Sequence, residues 1–148
     1  MVSEHKGRVN HLDNNITIYP FKFKHLQHLI DMHDANNSSV SKAINMKTLP
    51  KIGYIAYLND KTPIAAGFLR RLEPCFGQID TLVTNAYMGS IVRHQGMLAV
   101  TDALMNDAIH VLKLEGLICH TSSQDIIKRA TEAGFHILNQ QIIAKRLR

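Results

Sequence analysis

One stretch constrains the fold more than any other: residues 79–116, which carry an apolar strand, a loop and a long amphipathic helix in that order. Ile79-Asp80-Thr81-Leu82-Val83 reads as the strand, and Thr84 to Val92 as the loop. Met97, Val100, Leu104, Ala108 and Val111 then recur at spacings of three and four, the period of a helix that buries one face. Gly116 suits a residue just past the end of that helix. The helix is expected to open at Arg93-His94-Gln95-Gly96-Met97-Leu98. An opening turn leaves backbone N–H groups without partners, and the helix dipole adds positive potential there. Gly96, one turn in, would let a ligand approach the main chain, and Arg93 sets a fixed charge beside it. That combination suits phosphate. Arg-x-x-Gly alone fits a solvated arginine before an ordinary core helix equally well, so the surrounding elements have to decide.

Residues 1–14 are polar without a sustained period and are expected to be loosely held. Ile16, Ile18 and Tyr19 begin a short strand that Pro20 limits. From Lys22 the period becomes helical, with Leu26, Leu29, Ile30 and His33 on one face. Asn36-Asn37-Ser38-Ser39 breaks it, and a second short helix is expected over Val40 to Met46. Ile52 to Leu58 is apolar on both faces, and Asn59-Asp60-Lys61-Thr62-Pro63 is turn chemistry. Ile64 to Leu72 and Phe76 to Val83 follow as strands, so the three should form an antiparallel meander. Arg70-Arg71 must put at least one charge outward. After the long helix, Leu117-Ile118-Cys119-His120 is a short buried strand. Ser122-Ser123-Gln124-Asp125 offers a capping box for a helix that buries Ile126, Ile127 and Ala130 and stops at Gly134. Phe135 to Ala144 should return as one or two strands, before the basic tail Lys145-Arg146-Leu147-Arg148.

A helix between two strands of one sheet is a crossover, so the third meander strand and Leu117–His120 should run parallel. Ligands of open sheets bind at the carboxyl ends of such strands. The 148 residues suit a single domain over residues 1–148, with neither a repeat nor a linker. Leu82, Val100, Leu104, Ile118, Ile126 and Phe135 are the expected core. A net charge of +5 favours anionic partners such as a nucleotide cofactor or nucleic acid and is too mild to choose between them. Cys75 and Cys119 form neither a framework nor a CxxC pair, which points to a reducing, cytoplasmic setting. No signal peptide and no bilayer-spanning run is evident, so no membrane partner is expected.

In this order of elements the chain resembles the GNAT superfamily of acetyl-CoA-dependent N-acyltransferases, over about residues 15–146. Arg93-His94-Gln95-Gly96-Met97-Leu98 looks like the family's Gln/Arg-x-x-Gly-x-Gly/Ala pyrophosphate loop. The helix after Ser123 ends in Ala133-Gly134-Phe135, like the family's closing Leu-Gly-Phe. The stretch from Thr121 to Arg129 looks most like compact phage-encoded members. The resemblance implies an α/β fold of the mixed α+β kind: a mostly antiparallel central sheet, helices on both faces, and a parallel strand pair splayed at the cofactor site. It further implies acetyl-CoA as co-substrate, an amine of unidentified nature as acceptor, and no metal. Cofactor contacts would come from Leu82, Val83, Thr84, Arg93, His94, Gln95, Gly96, Met97, Leu98 and Ser123.

The sequence also departs from the family pattern. Leu98 stands where the family prefers glycine or alanine, and Ser123 where many members have asparagine. The link from Thr84 to Val92 is longer than usual. Ala130 falls where many members carry the tyrosine that protonates the departing thiolate. Candidates for chemistry are therefore Asp80, the acid on the last meander strand, with Glu73 just before it; His120, which titrates in a useful range; and Tyr87, in the loop near the cofactor. Each also has a plain reading, as an ion-paired, solvated or loop residue. Ser122 and Ser123 are better explained as caps, and Cys119 as a core residue. His25 and His28 sit three apart, but no further ligand completes a tetrahedral site. Without the tyrosine, a second reading is a catalytically weak or inactive GNAT-fold binding module that contacts a protein or nucleic acid.

Overall fold

The alternation of side chains along three neighbouring strands divides the interior into two layers. The computed structural model describes residues 7–11, 14–37, 39–72, 74–121, 123–138, 143–145 and 147. Among these residues six strands form one sheet in sequence order: β1 (Gly7–His11), β2 (Asn14–Pro20), β3 (Ile52–Leu58), β4 (Thr62–Leu72), β5 (Phe76–Thr84) and β6 (Gly116–Cys119). The first five pair antiparallel, and β5 pairs parallel with β6. The parallel pair arises because the long helix α2 (Ser90–His110) crosses over between them.

On β3, Tyr54 and Ala56 face one way while Ile55 and Tyr57 face the other, as a period of two requires. The first layer packs Ile16, Ile64 and Leu69 against Ala99, Val100, Ala103 and Leu104 of α2. The second packs Ile55, Ala66, Phe68 and Val83 against Leu29 and Met32 of α1 (Leu26–Ala35). Helices thus cover both faces. Tyr54 donates a hydrogen bond to the buried carboxylate of Asp107, tying α2 to the centre of the sheet. α3 (Gln124–Glu132) follows β6, with Ser123 as its cap and the Ser123 hydroxyl accepting from the Ile126 amide at 3.4 Å. No helix among the described residues is long and apolar enough to cross a membrane.

Several expectations need correction. Residues 7–11, expected to be loosely held, form a strand paired with β2 through main-chain register, Gly7 opposite Ile18. The helix expected over Val40–Met46 is a 3-10 turn at Ser39–Ala43. The strand expected over Phe135–Ala144 is absent among the described residues, where 135–138 and 143–145 are irregular; residues 139–142 lie outside them. Val100 and Leu104 are fully buried as expected, whereas Leu82, Ile118, Ile126 and Phe135 are only half-buried, Leu82 and Ile126 because they line an open cleft.

α1 is anchored by His25, whose Nδ1 accepts the Lys22 amide at 3.0 Å while the ring packs among Tyr19, Phe21 and Tyr57. Burial, with the charges of Lys24, His28 and Lys22 behind it, lowers the pKa of His25 from 6.5 to about 4. The unfolded chain therefore binds a proton that the folded chain refuses between these values. Stability is full above about pH 6.5 and falls by up to about 3 kcal/mol on acidification towards pH 4. His33, lowered in the same direction by burial, adds to that loss. His25→Asn, which can accept the same amide but does not titrate, should flatten the profile when denaturant melts are compared across that range.

Candidate functional site

The site is opened by the mismatch between β5 and its parallel neighbour. β6 pairs with β5 only from Phe76–Gly116 to Ile79–Cys119, while β5 runs on to Thr84. Beyond Ile79 no strand among the described residues pairs with that edge of β5, and a cleft lined by β5 and the α3 side opens there. A bulge sits at the point of parting. Ala66 pairs with Val83 and Phe68 with Asp80, so Thr81 and Leu82 together oppose Gly67. Thr81 takes a left-handed conformation, φ 53°, which a β-branched residue rarely adopts. Gly67 accommodates the bulge, since a Cβ there would lie 2.9 Å from Leu82 Cδ1 and 3.1 Å from Val100 Cγ1.

The loop after β5 is held by Asn85. Its side chain donates to the Pro63 carbonyl at 2.8 Å and accepts from the Tyr87 amide at 3.0 Å. α2 then starts at Ser90, with Gly89 as a cap that has no side chain to offer. The first hydrogen bond of the helix is Arg93 N–H to the Gly89 carbonyl, 3.0 Å. The amides of Ser90, Ile91 and Val92 precede it and have no partner within the helix.

These elements enclose a cleft of about 320 Å³. β5 supplies Leu82, Val83 and Thr84, and α2 supplies Ser90, Arg93, His94 and Met97. Ser123, Ile126 and Arg129 come from the α3 side, and His33 and Asn36 from the end of α1. Two guanidinium groups stand on the α2 and α3 walls, and no carboxylate lines the cleft among the described side chains. The opening of α2 adds its dipole. Burial and the neighbouring Arg129 charge lower the pKa of His94, with Glu132 opposing. An anion with a slender apolar extension suits this lining.

Seven expected contact residues, Leu82, Val83, Thr84, Arg93, His94, Met97 and Ser123, are brought together in this cleft. Gln95, Gly96 and Leu98 are not. The helix opens a turn earlier than the sequence suggests, so the amides of Gln95–Leu98 lie inside its hydrogen-bonded ladder and are not free for a ligand. Gly96 is buried against β4: a Cβ there would sit 3.1 Å from Ile64 Cδ1 and 3.3 Å from Ala65 Cβ. It is the approach of helix to sheet that excludes a side chain. Gly96→Val should therefore cost about 1–3 kcal/mol of stability by overpacking, read as a lowered melting temperature without ligand. Leu98 points outward, 41% exposed.

None of the three expected catalytic side chains lines the cleft. Asp80 is paired with Arg70, Oδ2 to Nε 3.0 Å, and accepts the Thr81 hydroxyl at 3.2 Å. His120 is exposed at the end of β6, and Tyr87 is 86% exposed on the loop. Ala130 is half-buried on α3. Burial, with the Asp80 charge adding to it, pushes the Cys119 thiol up, away from nucleophile character. Ser122 and Glu73 lie outside the described residues. Among the described residues no three His, Cys, Asp or Glu side chains group as a metal site would need.

Sequence reasoning missed His33, Asn36, Ser90, Ile126 and Arg129 as cleft residues. Arg129 carried a readable signal, since Ser123, Ile126 and Arg129 are spaced by three and share one face of α3. Asn36 gave none: it reaches from the end of α1 to donate to the Thr84 carbonyl at 2.8 Å.

Neither a protein-family model nor a curated protein matches the chain in sequence. Solved structures do match it in shape. An acetyltransferase from Streptococcus agalactiae 2603 superposes with a TM-score of 0.64 at 16% identity, covering 89% of this chain and 90% of its own. A predicted acetyltransferase from Clostridium acetobutylicum, solved with acetyl-CoA, gives 0.64 at 16% identity, covering 88% and 96%. A Mycobacterium tuberculosis protein in complex with CoA gives 0.61 at 16% identity, covering 77% and 69%. At these identities the likeness establishes the fold.

Proposed function

We propose that this protein, whose fold is that of the GNAT acetyltransferases, binds acetyl-CoA in the cleft and transfers the acetyl group to an amine. The observation that carries this is the cleft itself: two arginines and a helix opening, with no carboxylate among the described side chains, set where the parallel pair β5–β6 parts. The pyrophosphate would lie over the amides of Ser90–Val92, with Arg93 on one side and Arg129 on the other. The pantetheine arm is slender and amide-bearing, and it would run along the unpaired edge of β5 from Thr84 towards Leu82. The thioester would then reach the bulge at Thr81, where the ladder of β5 is interrupted. The solved structures with CoA and acetyl-CoA support the choice of ligand, as they share this fold. The acceptor is unidentified.

Transfer needs a neutral amine, an aligned thioester carbonyl and a proton for the leaving sulfur. The last is poorly provided. Ala130 has no proton to give, Tyr87 and His120 stand outside the cleft, and the Ser123 hydroxyl is held at the helix cap, where its oxygen accepts the Ile126 amide and its proton stays free. A positioned general acid is worth about 10²- to 10⁴-fold, so turnover with simple amines should be slow by about that factor while cofactor binding is ordinary. The check is thiol release from acetyl-CoA with a panel of amines and lysine-containing peptides, beside a direct binding measurement. Fast transfer that survives Tyr87→Phe, His120→Ala and Ser123→Ala would contradict this expectation. Saturable CoA binding with no thiol release for any amine would favour a GNAT-fold binding module instead.

A further inference from the structure

From Ala35 to Asn59 the sequence carries three lysines, Lys42, Lys47 and Lys51, and no acidic residue. All three are exposed, and among the described residues none takes part in an ion pair. They lie on the strap that leads from α1 to β3, residues 39–51. Its 3-10 turn, Ser39–Ala43, packs on α1, and Ile44 and Leu49 pack against the second layer of the core. Between them Asn45 makes a turn, its side-chain oxygen accepting the Lys47 amide at 2.9 Å and the Thr48 amide at 3.2 Å. Like charges are thereby held along one ordered edge instead of spreading apart in solvent. Of the acids on α1, Asp31 accepts from Gln27 at 2.9 Å, and neither it nor Asp34 forms an ion pair with the strap among the described residues.

Two hydrogen bonds tie the strap to β5. Arg70 Nη2 donates to the Thr48 carbonyl at 3.3 Å, and Arg70 Nε donates to Asp80 Oδ2 at 3.0 Å. Asp80 lies opposite Phe68, on the α1 face of the sheet, and directly precedes Thr81, the left-handed residue of the bulge. Lys51 precedes Ile52, which lies opposite Leu69, the neighbour of Arg70. The strap therefore borders, from the α1 face, the place where the thioester ends in the acetyl-transfer reading. The cations of the cleft, Arg93 and Arg129, stand on the α2 and α3 walls instead. One cationic surface serves the phosphates of the cofactor, and the strap is left for something else.

We propose that the strap docks an acidic peptide, which presents the acceptor amine to the thioester. The kind and spacing of the charges choose this occupant. They are spread from residue 42 to residue 51, so their counter-charges must be spread along a chain rather than gathered on one small molecule. Lysines are compact, hydrated charges that meet carboxylates singly, and the planar, two-pronged arginine that suits phosphate is absent from the strap. It also holds no aromatic side chain on which a nucleic-acid base could stack. The docking stands by itself, whereas the transfer rests on the acetyl-transfer reading above. In the transfer the amine nitrogen bonds to the acetyl carbonyl carbon and the C–S bond breaks. The amine proton passes to solvent, and the thiolate leaves with the bonding pair and takes a proton from solvent.

The test uses the full chain and capped lysine peptides of equal length, flanked by glutamate, alanine or lysine. Wild type should show a KM for the glutamate peptide about tenfold or more below that for the lysine-flanked one, and added salt should close the gap. Each exposed ion pair contributes little, so Lys42→Ala, Lys47→Ala and Lys51→Ala are combined. The triple variant should raise the KM for the glutamate peptide about tenfold, with kcat and CoA affinity within about twofold of wild type. Lys61→Ala, in the turn between β3 and β4, should change nothing. Docking without reaction is read by anisotropy of a labelled glutamate peptide with norleucine in place of lysine, which should bind wild type saturably and the triple variant not. A triple variant that binds this peptide as wild type does overturns the proposal and leaves the acetyl-transfer reading standing. So does a wild type that shows no preference for glutamate over lysine flanks. A single-stranded oligonucleotide that binds the strap more tightly than the peptide at equal salt also overturns it. A wild type that docks the norleucine peptide through the strap but releases no thiol with the lysine peptides keeps the docking surface and removes the acetyl-transfer reading.

Discussion

Alanine at both Arg93 and Arg129 weakens CoA binding by about a hundredfold or more. The two side chains stand on the α2 and α3 walls of one cleft, with no carboxylate among its described lining residues to pair with. A hydrogen bond to a charged group is worth about 1.5–3 kcal/mol, and tenfold in affinity corresponds to about 1.4 kcal/mol. Both side chains are half-exposed, so the lower end of that range applies to each, and added salt should shrink the effect. Lysine at either position should restore only part of the loss, because a point charge lacks the planar, two-pronged donor set. Arg71→Ala, on the exposed end of β4, should leave CoA affinity unchanged. Calorimetric titration of the double variant is the check, and an affinity equal to that of wild type would place the phosphates elsewhere.

The second large effect is on stability. Phe68→Ala should cost about 3–5 kcal/mol, a large share of the 5–15 kcal/mol typical of a domain. Phe68 is 1% exposed, packs edge-on against Phe21 with centroids 4.9 Å apart, and lies directly opposite Gly53 in the β3–β4 ladder. Its ring covers that glycine so closely that a Cβ at Gly53 would meet Phe68 Cδ2 at 2.2 Å. The two positions are one packing unit. Gly53→Ala should therefore be strongly destabilising alone and much less so on the Phe68→Ala background, a coupling that a double-mutant cycle in denaturant would measure. Additive effects would contradict it. The ring also belongs to the layer that seats α1 on the sheet, and thus to the support of the cleft wall that α1 forms.

What the sequence made legible follows from how local each signal is. The meander and α2 were readable because Ile52–Leu58 is apolar on both faces and Val100, Leu104 and Ala108 recur at helical spacing. The parallel pairing of β5 and β6 followed from the crossover rule. β1 was not readable: Val9 is the only apolar residue of Gly-Arg-Val-Asn-His, and the strand exists through main-chain pairing with β2. The start of α2 was misplaced because Gly89 offers no side-chain cap and Ile91-Val92 look more like strand than helix. Gly96 carried a true signal of close approach, and β4 packs closely against it. Apart from Ser90, the cleft residues contributed by β5 and α2 were recoverable from the Arg-x-x-Gly motif and the strand end. Those from α1 were not, because a histidine in an apolar stripe looks the same whether it fills a core or walls a cleft.

The central claim is that CoA lies between the end of β5 and α3, over the opening of α2. A titration of the isotope-labelled chain with CoA, followed through its backbone amide resonances, tests this most directly. The predicted result is a saturable set of shifts concentrated at Leu82–Thr84, Ser90–Val92 and Ser123, with Gln95–Leu98 changing little. Shifts confined to the basic C-terminal residues, or no saturable shifts at all, would contradict it.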